Sequence, residues 1–170
     1  MKPMRRSGSV HASRRISGRA QRSPMNDPYQ RQQKLPDGTM CSDCRAVYRR
    51  GRWQLGSEGS PVHQVRCPAC RRIVEHLPAG ILTLHGDFAH RHKDRMLDLA
   101  RHEEAAERKE HPLNGIGDVA ESAQGIVIHT TDIHLPRRIG EAIRRAFHGS
   151  IDMDFDENSY FVRVDWHPPA

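Results

Sequence analysis

Four cysteines stand in two equally spaced pairs, Cys41-Ser42-Asp43-Cys44 and Cys67-Pro68-Ala69-Cys70, and residues 45–66, 22 in all, separate the pairs. A Cys-x-x-Cys knuckle turns two sulfurs toward one ion. Two knuckles complete a tetrahedral S4 set, which suits Zn2+. The usual spacer in ribbon-type sites is about 15–20 residues. The loop at 56–61, Gly-Ser-Glu-Gly-Ser-Pro, absorbs the small excess. A redox dithiol competes, but the chain has two pairs and no thioredoxin-like context. An iron–sulfur centre is the other competitor, while structural disulfides do not suit a cytosolic chain. Four thiolates leave a metal no open position. Cys41, Cys44, Cys67 and Cys70 are therefore expected to hold the fold together, not to catalyse.

Around these pairs the chain is basic. Arg45, Arg49, Arg50, Arg52, Arg66, Arg71 and Arg72 lie near the knuckles, with Tyr48 and Trp53 among them. Exposed arginines beside aromatic rings are what phosphate contact and base stacking require. Arg45, Arg49, Arg50, Arg52, Arg71, Arg72, Tyr48 and Trp53 form the candidate nucleic-acid-binding set. A second reading has Tyr48 and Trp53 packing over the metal as the core of a small domain. Both readings leave the arginines exposed.

The charge is uneven along the chain. Residues 1–36 hold nine bases against Asp27 alone, a net of +8; residues 37–78 hold seven arginines against four acids, +3; residues 79–170 hold eleven bases against sixteen acids, −5. A polycation at one end and an acidic module at the other suggest separate jobs. Of the 27 basic residues only Lys2, Lys34, Lys93 and Lys109 are lysine. Arginine is the side chain whose planar fork fits phosphate, although a GC-rich genome produces the same bias.

The elements that must position these residues fall into three segments. Residues 1–36 are expected to be a disordered basic tail, because Arg, Ser and Gly bury too little surface to offset ordering entropy. Residues 37–78 read as a zinc-ribbon-like module. In it a strand at Val47-Tyr48 turns at Gly51 into a return strand through Trp53 and Leu55, and Pro78 ends an apolar stretch begun by Ile73 and Val74. Residues 79–170 read as an α+β module. A strand at 81–84 breaks at Gly86, and Asp87 caps a helix to about Glu110 with Phe88, Met96, Leu99 and Ala106 as its apolar stripe. Strands at 114–121 and 125–130 follow, joined by Gln124-Gly125. Asp132 caps a second helix to about His148, burying Ile139, Ala142, Ile143, Ala146 and Phe147. Strands at 151–155 and 160–166 close the chain. The order predicts a mainly antiparallel sheet with two helices on one face, a ferredoxin-like arrangement with one added strand.

Several tempting constellations carry little. His90 and His92 are two apart on a helix and face different ways, so they do not chelate together. His102, His111, His129, His134 and His148 lack a partner at ligand spacing. Thr131-Asp132-Ile133-His134 is better explained by Asp132 accepting the free amides of the next helix than by acid–base chemistry. Arg137, Arg138, Arg144 and Arg145 form a basic stripe that either meets phosphate or pairs with Glu141, Asp152, Asp154 and Asp156. No phosphate-binding glycine loop, nucleophile elbow or paired catalytic carboxylate is present, so a non-enzyme with no small-molecule substrate is expected. No run reaches the roughly 18 apolar residues of a membrane helix, and no apolar signal core follows the basic start. A cytoplasmic protein without membrane contact is the expectation.

The order of features resembles a known family. Paired Cys-x-x-Cys knuckles with a Tyr/Trp hairpin lead into a charged helix. A strand ending Glu121-Ser122-Ala123-Gln124-Gly125 precedes Ile126-Val127-Ile128, a helix follows Thr130-Thr131-Asp132, and Tyr-Phe-Val-Arg-Val at 160–164 nears the end. Over roughly residues 36–168 this is similar to the N-terminal region of the large-ribosomal-subunit export adaptors of eukaryotes and archaea, the Nmd-three family, and to short bacterial proteins of the same layout. The resemblance implies a zinc-stabilised protein that binds RNA or the ribosome, with Cys41, Cys44, Cys67 and Cys70 as ligands. The export adaptors carry more Cys-x-x-Cys pairs, enough for two zinc ions, and continue into later domains and transport signals beyond the stretch that is similar here, so export is not part of the expectation. The alternative reading is a protein-interaction adaptor that uses the α+β module, without nucleic acid.

Overall fold

The computed structural model describes residues 27–29, 34–56 and 59–170. The expected disordered tail, 1–36, lies outside the described residues except at 27–29 and 34–36. Two sheets and four helices make an α+β architecture among the described residues.

The first sheet is built around the cysteines. Its strands are β1 (Thr39–Cys41), β2 (Val47–Arg49), β3 (Arg52–Gln54) and β4 (His63–Val65), in the spatial order β3-β2-β1-β4. Strands β2 and β3 form the expected hairpin, with Arg49 opposite Arg52 and only Arg50-Gly51 between them. Both turn residues have positive φ, +51° and +81°, the mirror-image turn whose twist matches a two-residue hairpin. Strand β1 was not expected. It pairs antiparallel with β2 and parallel with β4, setting Cys41 opposite Val65. Helix α1 (Pro68–Val74) was also not expected. Its signal is Pro68 directly after Cys67, a residue pre-set for the first helical position.

The second sheet is mixed. Strands β5 (Gly80–His85), β6 (Ile116–Ser122), β7 (Gly125–Thr130), β8 (Ser150–Phe155) and β9 (Val162–His167) lie in the order β6-β7-β5-β9-β8. All neighbours are antiparallel except β5 and β9. The expected, mainly antiparallel sheet thus contains one parallel pair, because β9 enters between β5 and β8 and is not added at an edge. Burial explains the choice: Val162, Val164 and Trp166 of β9 are wholly buried, whereas β8 exposes Asp152 and Asp154. A short, charged strand is suited to the edge. Gly125 permits the β6–β7 turn; its φ is +148°, and a Cβ there would lie 1.9 Å from the Leu84 carbonyl oxygen.

Helices cover one face of this sheet. The expected single helix from Asp87 is two: α2 (Gly86–Arg91) and α3 (Lys93–Arg108). The break is His92, at φ −110° and ψ 15°, whose ring packs on Phe88 and Phe147 at centroid distances of 4.4 and 5.7 Å. Asp87 lies in the first turn of α2 and is not its cap. Helix α4 (Leu135–Phe147) buries Ile139, Ala142 and Ile143 as expected, but Ala146 is exposed. Leu82, Leu84, Met96, Ile126, Ile128, Leu135, Val164 and Trp166 join Ile139 and Ile143 in one core. Of the basic stripe on α4, Arg138 pairs with Glu103 and Glu107 of α3 at 2.7 and 2.8 Å, and Arg144 with Glu141 at 3.0 Å. Pairing therefore accounts for Arg138 and Arg144, in Arg138's case through α3 glutamates that the sequence reading did not consider. No described helix is long and apolar enough to cross a membrane.

The two sheets meet through Asp27, Tyr29 and Arg72. Tyr29 falls in the segment expected to be disordered, yet it is buried, and its hydroxyl donates to Glu75, the residue that caps the end of α1. Leu113, in the loop before β6, packs on the cysteine cluster.

Candidate metal centre and the basic face beside it

The parallel pairing of β1 with β4 brings the two Cys pairs together. Cys41 ends β1, and the Arg45 amide closes the knuckle by donating to the Cys41 carbonyl at 3.1 Å. The Ser42 amide donates to the Val65 carbonyl at 3.1 Å, so β4 delivers Cys67 beside the knuckle. Cys67 then caps α1, and its Sγ accepts from the Cys70 amide at 3.4 Å. The second pair therefore sits on a helix start. The four Sγ atoms lie within 4.8 Å of one another and are placed to hold a metal ion.

Backbone amides point at these sulfurs. Cys41 Sγ accepts from the Cys67 amide at 3.3 Å and from the Asp43 amide at 3.5 Å. Such donors favour the charged thiolate and orient a ligand. The thiols also interact with one another. Cys44 is held down to about 5, first because it is hydrogen-bonded to Cys67 at 3.8 Å. Cys67 is pushed far up by the same contact and then by burial. Cys70 is pushed up to about 12 by burial and then by the charge on Cys44. Without a cation the cluster thus favours a thiolate at Cys44 and protons on Cys67 and Cys70. A divalent ion reverses this by supplying the missing positive charge.

The candidate RNA-contacting residues divide. Arg45 follows the first knuckle, and Arg49, Arg50 and Arg52 surround the hairpin turn; all four are exposed. Tyr48 and Trp53 are half-buried opposite each other, edge to face at 5.6 Å. Trp53 also packs against the cysteine cluster, so the core reading holds for it in part. Arg66 pairs with Asp43 at 2.6 Å, and the Ser42 hydroxyl and Arg66 together hold that carboxyl below its usual range. Arg71 is half-exposed, with Glu75 at 3.6 Å.

Arg72 overturns the expectation that every arginine here is exposed. Its side chain is 5% exposed and forms an ion pair with Asp27. It donates to the Leu77 carbonyl at 3.1 Å and stacks 4.2 Å from the Tyr29 ring centroid and 5.5 Å from that of Tyr160. It lies five residues after Cys67, on the side of α1 that faces the second sheet. Nothing in the local pattern Cys-Arg-Arg-Ile distinguishes it from Arg71.

Between the two sheets lies a cleft of about 590 Å³ that sequence reasoning missed. Tyr48, Arg52, Trp53 and Arg71 line one side, and Asn114, Asp132 and Tyr160 the other. Asp132 does accept the free amides at the start of α4, as expected, although the cap position itself is His134: the Asp132 Oδ2 accepts from the amides of His134 and Leu135 at 2.7 and 3.1 Å. Burial nevertheless raises its carboxyl above the ordinary value. Burial likewise pushes Tyr160 up to about 12. The chain matches no protein-family model, no curated protein and no solved structure.

Proposed function

We propose that this chain is a non-enzymatic, zinc-stabilised RNA-binding protein of the cytoplasm that acts at the ribosome or on its RNA. The observation that carries the reading is the exposed set Arg45, Arg49, Arg50 and Arg52, held beside Tyr48 and Trp53 on the hairpin that the S4 cluster anchors. Zinc is favoured by the donor set: four thiolates are soft ligands, and a Zn–S bond of about 2.3 Å implies tetrahedral edges of about 3.8 Å. The Cys44–Cys67 separation of 3.8 Å matches such an edge. The likeness to the Nmd-three family supports the choice of the ribosome. In this reading the hairpin arginines, with the basic residues of 1–24, supply phosphate contacts that position RNA without reading its sequence.

The test is RNA binding by the zinc-loaded full chain across a salt series. Neutralising four phosphates predicts a log–log slope of about −3 on single strands, from about −0.7 per contact. Changing Arg45, Arg49, Arg50 and Arg52 together to Ala should remove most of that slope, and deleting residues 2–24 should weaken it further while sparing Asp27 and Tyr29. Binding that is indifferent to salt and to both changes refutes the reading.

The adaptor reading is favoured by the bare face of the second sheet. Ile81, Thr83, Val127 and Ala120 lie there without a helix over them, rimmed by Asp118, Asp152, Asp154 and Asp165. Purification free of nucleic acid, with a stable protein partner lost on changes to this face, favours that reading.

A further inference from the structure

We propose that the cleft between the two sheets binds one nucleotide, free or as an unstacked residue of single-stranded RNA, its base donating a hydrogen bond to Asp132 Oδ1 and its phosphate meeting Arg52 and Arg71. The free-nucleotide form stands by itself; the RNA form rests on the function proposed above.

The first observation is an unanswered acceptor. Asp132 is 3% exposed. Oδ2 is occupied by two amides, but Oδ1 is, among the described residues, the only buried side-chain nitrogen or oxygen without a hydrogen-bond partner. Buried polar atoms are nearly always paired, and an exception points to something the protein alone does not supply. Asp132 lines the cleft, and because Oδ1 itself is closed to solvent, a donor in the cleft reaches it as the neighbouring side chains shift. Arg72, the buried cation among the lining residues, is engaged by Asp27 and the Leu77 carbonyl.

The second observation is the make-up of the walls. A volume of about 590 Å³ lies within the range of small-molecule sites, about 300–1,000 Å³. Tyr48 and Trp53 offer ring surface from the hairpin, and Tyr160 faces the cleft from before β9. Arg52 is exposed at the mouth, and Arg71 is half-exposed beside it. A simple anion does not fit, since the floor is a carboxylate. A simple cation does not fit either, since arginines guard the mouth. A ligand that joins an anionic group to a flat ring bearing N–H donors satisfies floor, walls and mouth together, and a nucleotide has that make-up.

The test titrates the zinc-loaded full chain with AMP, CMP, GMP and UMP, and with a mixed-sequence RNA octamer. Binding is read by equilibrium dialysis and by Trp53 fluorescence, Trp166 being wholly buried. At least one mononucleotide should saturate and quench Trp53. Asp132→Asn should weaken the tightest one about tenfold and flatten the preference among bases; asparagine remains a good helix cap, and its melting curve checks the fold. Tyr48→Ala should weaken all four. Arg52→Ala with Arg71→Ala should also weaken all four, without altering their ranking. Arg163→Ala, on the bare face of the sheet, should change nothing. If no mononucleotide binds, or if Asp132→Asn and Tyr48→Ala leave affinities within twofold, the cleft proposal falls. Should the octamer still bind these two variants and release only when the hairpin arginines are removed, the cleft proposal falls while RNA binding stands. If mononucleotides bind as described and no RNA does, the cleft stands and the RNA reading falls.

Discussion

Replacing Arg72 with alanine should destabilise the folded chain by about 3–4 kcal/mol. The guanidinium holds together three groups from separate parts of the sequence: Asp27, the Leu77 carbonyl, and the rings of Tyr29 and Tyr160. Breaking a buried ion pair by removing one partner typically costs about 3–5 kcal/mol, because the other charge is left buried. Asp27 is 12% exposed and so keeps some access to water, which argues for the lower part of that range. Loss of the contact with Tyr29, at 4.2 Å, adds about 0.5–1 kcal/mol. The assay is urea unfolding of the zinc-loaded protein. With a slope of about 1–3 kcal/mol/M, the midpoint should fall by about 1–4 M. Arg52→Ala, at an exposed site, should stay within about 0.5 kcal/mol of the parent. A double-mutant cycle with Asp27→Ala should give a coupling of more than about 1 kcal/mol. If Arg72→Ala unfolds at the parental midpoint while losing one unit of the RNA salt slope, Arg72 is a phosphate contact and the buried clamp is wrong.

Two further outcomes follow from the ionisation of buried groups. Zinc uptake at pH 7 should release at least two protons, those of Cys67 and Cys70, since both thiols are pushed up and Cys44 is already ionised at about 5. Calorimetry in buffers of different ionisation enthalpy counts them, metal affinity should rise with pH, and Cys67→Ser should abolish stoichiometric zinc; release of fewer than two protons contradicts the assigned order. Asp132→Asn should match or exceed the parent in stability at pH 7. Burial holds the folded carboxyl above its ordinary value, so the native state binds more protons than the unfolded one and stability from this group falls as pH rises through that window. The difference between variant and parent should therefore shrink toward pH 4 in urea melts, and a parent more stable by about 1 kcal/mol at pH 7 overturns the burial argument.

What could be read from the sequence had a local cause. Alternating Val162, Val164 and Trp166 mark a strand, Asp132 two residues before His134 marks a helix start, and the spacing of the cysteines marks a shared ligand set. What could not be read depends on distant partners. Strand β1 is only Thr39–Cys41, and it exists because β2 and β4 both pair with it. The insertion of β9 beside β5 is settled by which strand can be buried on one face and which must stay at the edge. Arg71 and Arg72 are identical in type and adjacent in sequence, yet only Arg72 faces the second sheet. Their difference arises from the 100° turn between neighbours on a helix.

The metal site and the cleft are parts of one mechanical unit. Helix α1 has only seven residues, too short to persist in water by itself. Cys67 caps its start and Cys70 lies in its first turn, so the S4 cluster fixes where the helix begins and how it is rotated. Rotation decides which arginine is buried. With the helix held by its cysteines, Arg72 points to Asp27 and Tyr160, and Arg71 is left at the cleft mouth. Cys67 and Cys70 thereby set the position of a wall that they do not line. The basic character of residues 37–78 accordingly has two uses. Arg72 joins the modules and Arg66 balances Asp43, while Arg45, Arg49, Arg50 and Arg52 remain exposed at the hairpin. A count of arginines overstates the positive charge exposed on this module, and the rotation of α1 tells which of them to subtract.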